Sequence, residues 1–219
     1  MLRPLSAVAL AAVCVAAVPA TAHPAPRPAP VQSDTSLLAR ADAGRTQGSP
    51  SATVWLVEAS DFQCPFCKQW HDAAYDALIR EYVKTGKVRY AFLNFPLNSI
   101  HPHALQAAEA AMCASAQGRF WQMHESLFRT QAKWEAQKDP AAYFDSLAVN
   151  AGVQPQEWRH CVTVHATLPL IQADQLRLRN SGVSATPTFF VANQKLEGVQ
   201  PLDTLRKLLN AALAKSGAP

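Results

Sequence analysis

The spacing of hydrophobic residues changes several times along the chain, and each change predicts an element. Residues 53–59 form a short apolar run, and residues 87–95 alternate between polar and apolar positions, a pattern typical of strands. Residues 187–192 and 195–199 repeat this pattern on either side of a tight turn. Four strands are therefore predicted, two on each side of a long central stretch.

Longer segments with apolar residues every three or four positions lie around these strands, which is the spacing of amphipathic helices. The predicted helices cover residues 65–85, 104–116, 120–129, 140–151, 155–165, 169–181 and 201–215. The order is β-α-β, an all-helical insert over about 97–182, and then β-β-α. This order predicts one α/β domain over residues 51–216.

The first 50 residues follow neither pattern. Arg3 precedes an apolar run that ends at Val18, and residues 20–22 read Ala-Thr-Ala, so residues 1–22 are interpreted as a secretory signal peptide. Residues 23–50 are rich in Pro and Ala and then polar, and are predicted to form an N-terminal linker with one short helix. We expect an exported protein, in the periplasm or otherwise extracytoplasmic, that is not embedded in a membrane.

Charge and cysteine content narrow the classes of function. The formal net charge is +4 and no basic run occurs, so the sequence offers no basis for a nucleic-acid partner. Outside the signal peptide four cysteines remain, and an even number in an oxidising compartment favours disulfides. Cys113 and Cys161 fall in two predicted helices of the insert and are predicted to form a structural disulfide; two unpaired buried thiols are the alternative. His101 and His103 are expected to open the first insert helix.

The candidate chemistry is concentrated at Cys64-Pro65-Phe66-Cys67, which follows the first strand and opens a helix. At a helix N-terminus the unpaired N–H groups and the positive end of the helix dipole favour a thiolate. Cys64 is therefore the predicted nucleophile of thiol–disulfide exchange, and Cys67 the partner that resolves a mixed disulfide. Half of a zinc site is the alternative, but the one nearby candidate ligand is His71, which is expected on the exposed face of the helix.

Two other positions suit a redox site. Glu58 is the only charged residue of its strand, and a buried carboxylate there would accept a proton from Cys67; an acid that reaches solvent at the strand end is the alternative. The bond between Thr186 and Pro187 opens the third strand. A cis bond would turn the Thr186 backbone toward Cys64, where it could pair with an extended client segment, although propensity alone favours trans.

Two sequence runs, SDFQCPFC at residues 60–67 and GVSATPTFFV at residues 182–191, resemble the DsbA-like proteins of the thioredoxin superfamily. The resemblance covers about residues 50–215. It implies a thioredoxin fold with an all-helical insertion between its β-α-β and β-β-α halves. It also implies a cis peptide before Pro187 and places Glu58 at the position of the superfamily's buried acid.

The same resemblance implies that Cys64, Cys67, Pro187 and Glu58 are catalytic. Thr186, Pro65 and Phe66 are assigned to client binding. One departure is that Phe66 occupies the position where the best-known oxidases of the family have histidine, which favours a milder oxidant. Thr before the proline is similar to the isomerase branch.

We therefore expect an exported thiol–disulfide oxidoreductase that introduces or exchanges disulfides in extracytoplasmic proteins. Its partners would be cysteine-containing clients and a membrane redox protein, and its only redox group the Cys64–Cys67 pair, with no cofactor and no metal. A reductase or isomerase of the same fold is the first alternative. A module that delivers copper or zinc on the two thiolates is the second.

Overall fold

The computed structural model describes residues 35–217. The predicted signal peptide and the Pro/Ala-rich segment after it lie outside the described residues. Within residues 35–217, none of the helices combines the length and the apolar character that crossing a membrane requires.

Five strands form one mixed sheet in the order β1-β3-β2-β4-β5. They are β1 (Thr46–Gln47), β2 (Val54–Ser60), β3 (Val88–Asn94), β4 (Thr188–Val191) and β5 (Gln194–Glu197). Strands β2 and β3 are parallel, and the other neighbours are antiparallel. Glu58 lies in the central strand β2, opposite Phe92 of β3 and Phe189 of β4, so both sides of its backbone are covered.

The helices precede, connect and follow these strands. Before β3 they are α1 (Thr35–Gly44), α2 (Pro65–Trp70) and α3 (Asp76–Leu78), with π-helical turns at His71–Tyr75 and Ile79–Val83 that make one continuous helix from Pro65 to Val83. After β3 they are α4 (Ala104–Ser115), α5 (Phe120–Arg129), α6 (Gln131–Glu135), α7 (Ala141–Asn150), α8 (Pro155–Thr163), α9 (Leu168–Asn180) and, following β5, α10 (Leu202–Ser216). The predicted β-α-β, helical insert and β-β-α order is confirmed.

The buried apolar residues form two large cores and a smaller cluster around Ala59 and Leu178. In the first, Leu56 and Trp70 pack with Leu205 of α10. The second core fills the insert and extends to the end of β2, where the Phe62 and Phe92 rings stack at 4.9 Å between centroids. The two cysteines of the C-x-x-C motif belong to this second core, so the insert forms one wall around them.

The predicted linker differs from the structure over its C-terminal part. Helix α1 packs on α4 through the fully buried Ala41, and Thr46 of β1 pairs with Ala91 of β3. Gly44 lies so close to α4 that a Cβ atom there would be 2.5 Å from the Ser115 hydroxyl. The folded unit therefore begins before residue 51. Little in the sequence indicates that residues 35–47 belong to it, because a few small residues are enough to pack α1 against an Ala-rich helix.

A buried ion pair fixes this N-terminal part. The side chain of Arg45 is 2% exposed and donates to the fully buried Asp174 of α9, with Nη2 3.1 Å from Oδ1. Arg45 also contacts the carboxylate of Asp42. The second Asp174 oxygen accepts the N–H of Asn94 at 3.0 Å. One carboxylate thus joins the segment after α1, the end of β3 and the insert.

We predict that D174N lowers the free energy of unfolding because it leaves the Arg45 guanidinium buried without its main counter-charge. The expected loss is about 3 kcal/mol, at the lower end for a broken buried pair because Asp42 still accepts from Arg45. Urea denaturation measures it. The matched control is D145N, at the exposed Arg159–Asp145 pair, with an expected loss below about 1 kcal/mol. Equal losses in the two variants would contradict the prediction.

Candidate active site

The turn between β2 and α2 fixes the position of Cys64. The Asp61 carboxylate accepts the N–H of Gln63 at 2.8 Å, and the Asp61 carbonyl accepts the N–H of Cys64 at 3.1 Å. Cys64 is the N-cap of α2 in extended backbone geometry, and Pro65 occupies the first helical turn. Proline sets the helical φ there, and its missing N–H would have had no partner inside the helix. The Cys64 sulfur therefore faces the N-terminal N–H groups of α2.

Cys64 contacts the chain that precedes β4. Its thiol donates to the carbonyl of Thr186, with Sγ 3.4 Å from the oxygen, and the Thr186–Pro187 peptide is cis. A hydrogen bond from the Cys67 side chain is the main cause that lowers the pKa of Cys64 to about 6, and the backbone N–H groups of Phe66 and Cys67 add to it against the effect of burial. At neutral pH the Cys64 thiolate is thus the favoured form.

Cys67 differs sharply from its partner. It is fully buried, and burial is the main cause that raises its pKa well above the ordinary thiol value; the hydrogen bond to Cys64 and the charge of Cys64 act in the same direction. Both cysteines are free thiols in this structure. The pair therefore consists of one sulfur that ionises readily and one that holds its proton, an arrangement suited to a nucleophile and a resolving thiol.

Glu58 lies buried beneath this pair and is 1% exposed. Burial raises its pKa to about 7, although a hydrogen bond donated by the Tyr90 hydroxyl to its carboxylate lowers it. The charge of Glu58 in turn contributes to the raised pKa of Cys67. The alternative of a solvent-reaching acid at the strand end does not describe this geometry. A carboxyl group that titrates near neutrality can take or give a proton inside the protein.

The other residues assigned to the site from sequence lie either at the surface beside Cys64 or in the core of the insert. Phe66 is 59% exposed, and Pro65 is also exposed, so both lie at the surface of the α2 N-terminus. Cys113 and Cys161 are joined by a disulfide that connects α4 to α8, with the two sulfurs 1.99 Å apart. That disulfide belongs to the insert core, whereas Cys64 and Cys67 carry the free thiols.

His71 is not on the exposed face of its helix, as the sequence suggested. It is 8% exposed and stacks on Phe128 at 4.9 Å between centroids, with Nε2 3.1 Å from a carboxylate oxygen of Glu125. The reason is that α5 of the insert covers this face, which would be solvated in a bare β-α-β unit. Among residues 35–217, no three His, Cys, Asp or Glu side chains are grouped so that they could hold a metal ion.

Two glutamines that hold the site by hydrogen bonds were not predicted from the sequence. Gln131 of the unpredicted helix α6 is buried, and its amide donates to the carbonyl of Phe62 at 2.7 Å and to that of Cys64 at 3.1 Å. Gln63 accepts the N–H of His103 at 2.7 Å. Polar residues in short connections carry no periodic signal, and only their tertiary partners reveal that they are buried.

The loop between β3 and α4 is bound to the same turn. The second Asp61 oxygen accepts the N–H of Leu97 at 2.8 Å and lies 2.7 Å from Nδ1 of His101. The Asp61 side chain is fully buried, and that of His101 is 14% exposed. The two histidines do precede α4, with His103 as its N-cap, but the contact with Asp61 had no sequence signal apart from the His-Pro-His pattern itself.

Comparisons with known proteins agree with the observed fold. A family model described as thioredoxin matches residues 40–211. The chain is 32% identical over 175 residues to the Na(+)/H(+) antiporter NhaA 3 of Salinispora tropica, a match that covers 80% of this chain and 26% of the antiporter. The chain thus spans about a quarter of that relative's length.

Two other proteins are similar over most of this chain. A Rickettsia typhi protein named as a protein-disulfide oxidoreductase is 26% identical over 167 residues, which are 76% of this chain and 60% of that protein. The crystal structure of oxidised BdbD from Bacillus subtilis superposes with a TM-score of 0.71 at 21% identity, covering 78% of this chain and 94% of that one. At that identity the superposition establishes the fold.

We predict that Glu58 makes the folded protein less stable as the pH rises. Its native pKa of about 7 exceeds its ordinary value of 4.5, so the native state binds the proton more tightly than the unfolded state. The free energy of unfolding should therefore fall by about 3 kcal/mol between about pH 4.5 and pH 7, with no further change from this group above that range.

The test compares E58Q with the wild type by urea denaturation at about pH 4.5 and about pH 8, both oxidised so that no thiol titrates. Glutamine cannot ionise, so the stability of E58Q relative to wild type should increase with pH. E157Q, at an exposed glutamate, is the matched control and should show no such increase. The same E58Q-to-wild-type difference at both pH values would contradict the prediction.

Proposed function

Because this chain belongs to the thioredoxin family, we propose that it is a thiol–disulfide oxidoreductase that exchanges disulfides with cysteine-containing proteins through Cys64 and Cys67. The observation that carries the proposal is the contrast within the pair. The pKa of Cys64 is about 6, whereas that of the buried Cys67 lies well above the ordinary thiol value. The name of the Rickettsia typhi relative supports the same activity.

In the oxidising direction, a client thiolate attacks Cys64 of the oxidised pair. A client–Cys64 disulfide forms while the Cys64–Cys67 bond breaks, and its electron pair passes to the Cys67 sulfur, which takes up a proton. Glu58 is the proposed source of that proton, because its pKa of about 7 leaves it partly protonated at neutral pH. The same carboxylate would take the proton back on re-oxidation.

A second client thiolate then attacks the client sulfur of the mixed disulfide. The client disulfide forms and Cys64 leaves as a thiolate, so the client has lost two electrons and the enzyme pair has gained them. A thiol with a low pKa is a good leaving group, and its stabilised thiolate favours the reduced enzyme. Both properties favour the transfer of a disulfide from the enzyme to the client.

We also propose that Thr186, Pro65 and Phe66 meet the client. Thr186 lies beside Cys64, at 3.4 Å from sulfur to carbonyl oxygen, and its backbone can pair with an extended client segment. Phe66 offers an exposed apolar ring next to the reacting sulfur. The backbone would supply affinity for any sequence, and the aromatic ring would favour clients with apolar residues beside the cysteine.

The proposed setting is extracytoplasmic, with residues 1–22 as signal peptide and a membrane redox protein that re-oxidises the pair. The disulfide between Cys113 and Cys161 supports an oxidising compartment because disulfides outside a redox motif are rare in the cytosol. We assign that disulfide a structural role, as a link between two helices of the insert. Exported proteins with cysteines are then the clients.

A reductase or isomerase is the second candidate, and Phe66 is the observation that favours it. The C-x-x-C motif has no histidine to stabilise the Cys64 thiolate. The reaction chemistry is the same in both directions, so the equilibrium potential decides between the two candidates.

We predict a reduction potential between those of thioredoxin and of a strong oxidant such as DsbA, that is between about −270 and −120 mV, because the pKa of Cys64 lies between theirs. Equilibration with glutathione redox buffers measures it. A value near about −120 mV would support disulfide donation, and a value below about −230 mV would support the reductase. A pair that does not equilibrate with glutathione at all would contradict the proposed function.

We predict that C67S accumulates mixed disulfides with client proteins, because Cys64 can still attack but no internal thiol can release the client. Expression in the exporting host, followed by acid quenching and non-reducing electrophoresis, would show these adducts. C64S is the matched control and should trap none, since Cys67, the remaining thiol of the motif, is fully buried. Absence of adducts in C67S, or equal adducts in both variants, would overturn the assignment of Cys64 as nucleophile.

A further inference from the structure

A buried carboxylate lies in the turn that leads into Cys64. The Asp61 side chain is fully buried, and the Asp61 carbonyl accepts the N–H of Cys64 at 3.1 Å. Its two carboxylate oxygens accept the N–H groups of Gln63 and Leu97. A negative charge three residues before Cys64, in the same buried turn, disfavours a second one on the sulfur, because two like charges repel strongly where water is largely excluded.

His101 is the cationic partner of this carboxylate. Its Nδ1 is 2.7 Å from Asp61, and the ring lies in the loop that Asp61 and Gln63 bind to the turn before Cys64. The hydrogen bond to Asp61 is the main cause that raises the pKa of His101 against the effect of burial. The charges of Asp61, Cys64 and Glu135, which lies in α6, add to it. All three of these neighbours favour the imidazolium form.

No cation within the C-x-x-C motif takes this role. The two residues between the cysteines are Pro65 and Phe66, neither of which carries a charge. His101 reaches the same region from a different element, the loop between β3 and α4. It is 37 positions away from Cys64 in sequence, which is why the motif gives no indication of it.

We propose that His101 is a positioning residue whose imidazolium, held by Asp61, neutralises the buried carboxylate in the turn before Cys64 and thereby stabilises the Cys64 thiolate. The role rests on the proposed function for its use in catalysis, but its electrostatic effect is measurable without any client. Removal of the imidazolium leaves Asp61 as an unbalanced negative charge in the turn before the sulfur. Removal of both charges removes the repulsion between Asp61 and the thiolate together with the imidazolium that compensates for it.

The first test is the pH titration of the Cys64 thiolate in reduced H101Q, followed by ultraviolet absorbance and by the rate of alkylation with iodoacetamide. The thiolate fraction near pH 6, where wild-type Cys64 is half ionised, should fall about twofold to fivefold. The equilibrium potential should shift toward more reducing values. A titration curve that coincides with that of the wild type would overturn the proposal.

H103Q is the matched control in the same loop. The His103 ring contacts the carbonyl of Gln137 at 2.9 Å, whereas its contact with Gln63 is made by the backbone N–H and survives substitution. The thiolate titration of H103Q should coincide with that of the wild type. An equal shift in H103Q and H101Q would overturn the proposal, because it would indicate a general effect of loosening the loop.

The double variant D61N/H101Q separates charge from structure. It lacks the ion pair but also lacks the unbalanced carboxylate, so its thiolate titration should return most of the way to that of the wild type. A structural role of the contact predicts the opposite, a shift in the double variant at least as large as in H101Q. That second result would overturn the proposal.

Reciprocity provides a test that needs no variant. If the thiolate and the imidazolium stabilise each other, His101 must titrate at a lower pH in the oxidised wild-type protein than in the reduced one. NMR of the ring protons measures both titrations. The same midpoint in the two redox states would overturn the proposal, even if H101Q failed to fold. None of these readings needs a client, so they stand apart from the trapping experiment with C67S.

Discussion

The hydrogen bonds accepted by Asp61 hold together three parts of the molecule: the turn after β2, the loop before α4 and, through the backbone of Cys64, the start of α2. A cysteine gains from a helix N-terminus only if its sulfur stays in front of the free N–H groups. Asp61 fixes the Cys64 backbone by accepting its N–H, and Gln131 of the insert fixes it by donating to its carbonyl. The low pKa of Cys64 depends on this rigid placement.

The site also balances opposing effects of burial. Burial raises the pKa of Cys67 and Glu58, whereas the hydrogen bond from Cys67, with the N-terminal N–H groups of α2, lowers the pKa of Cys64. These effects require a water-poor interior on one side and a helix end on the other. The insert supplies the first, because Cys64 and Cys67 belong to its core. The insert is therefore part of the candidate active site and not an appendage to the sheet.

Much of the fold was predictable because it depends on local periodicity. The four long strands, the helix after Cys64 and the main insert helices have apolar faces that the sequence displays. The resemblance to DsbA-like proteins is also confirmed at the level of the thioredoxin family. The placement of the C-x-x-C motif at a helix start was also predictable, because the motif follows a clear strand and precedes an amphipathic segment.

The rest depended on tertiary neighbours. His71 was expected to be exposed, but α5 covers it, and α1 was expected as a short helix within a linker because its one buried residue, Ala41, is small. Gln131 and His101 are polar residues in short or irregular segments, where hydrophobic spacing carries no information. Their importance arises from single hydrogen bonds between distant parts of the chain, and such bonds leave no pattern in one sequence.

The contact between Cys64 and Thr186 joins positions 122 residues apart, and the Arg45–Asp174 pair joins positions 129 residues apart. Contacts of such high sequence separation form late and slow the folding of a domain, because the entropy of closing a long loop is lost before the contact can stabilise the chain. A chain made from its N-terminus therefore presents both thiols of the C-x-x-C motif before β4 can cover them. During synthesis this protein passes through a state in which it resembles the clients that the proposed function assigns to it, as an unfinished protein with exposed cysteines.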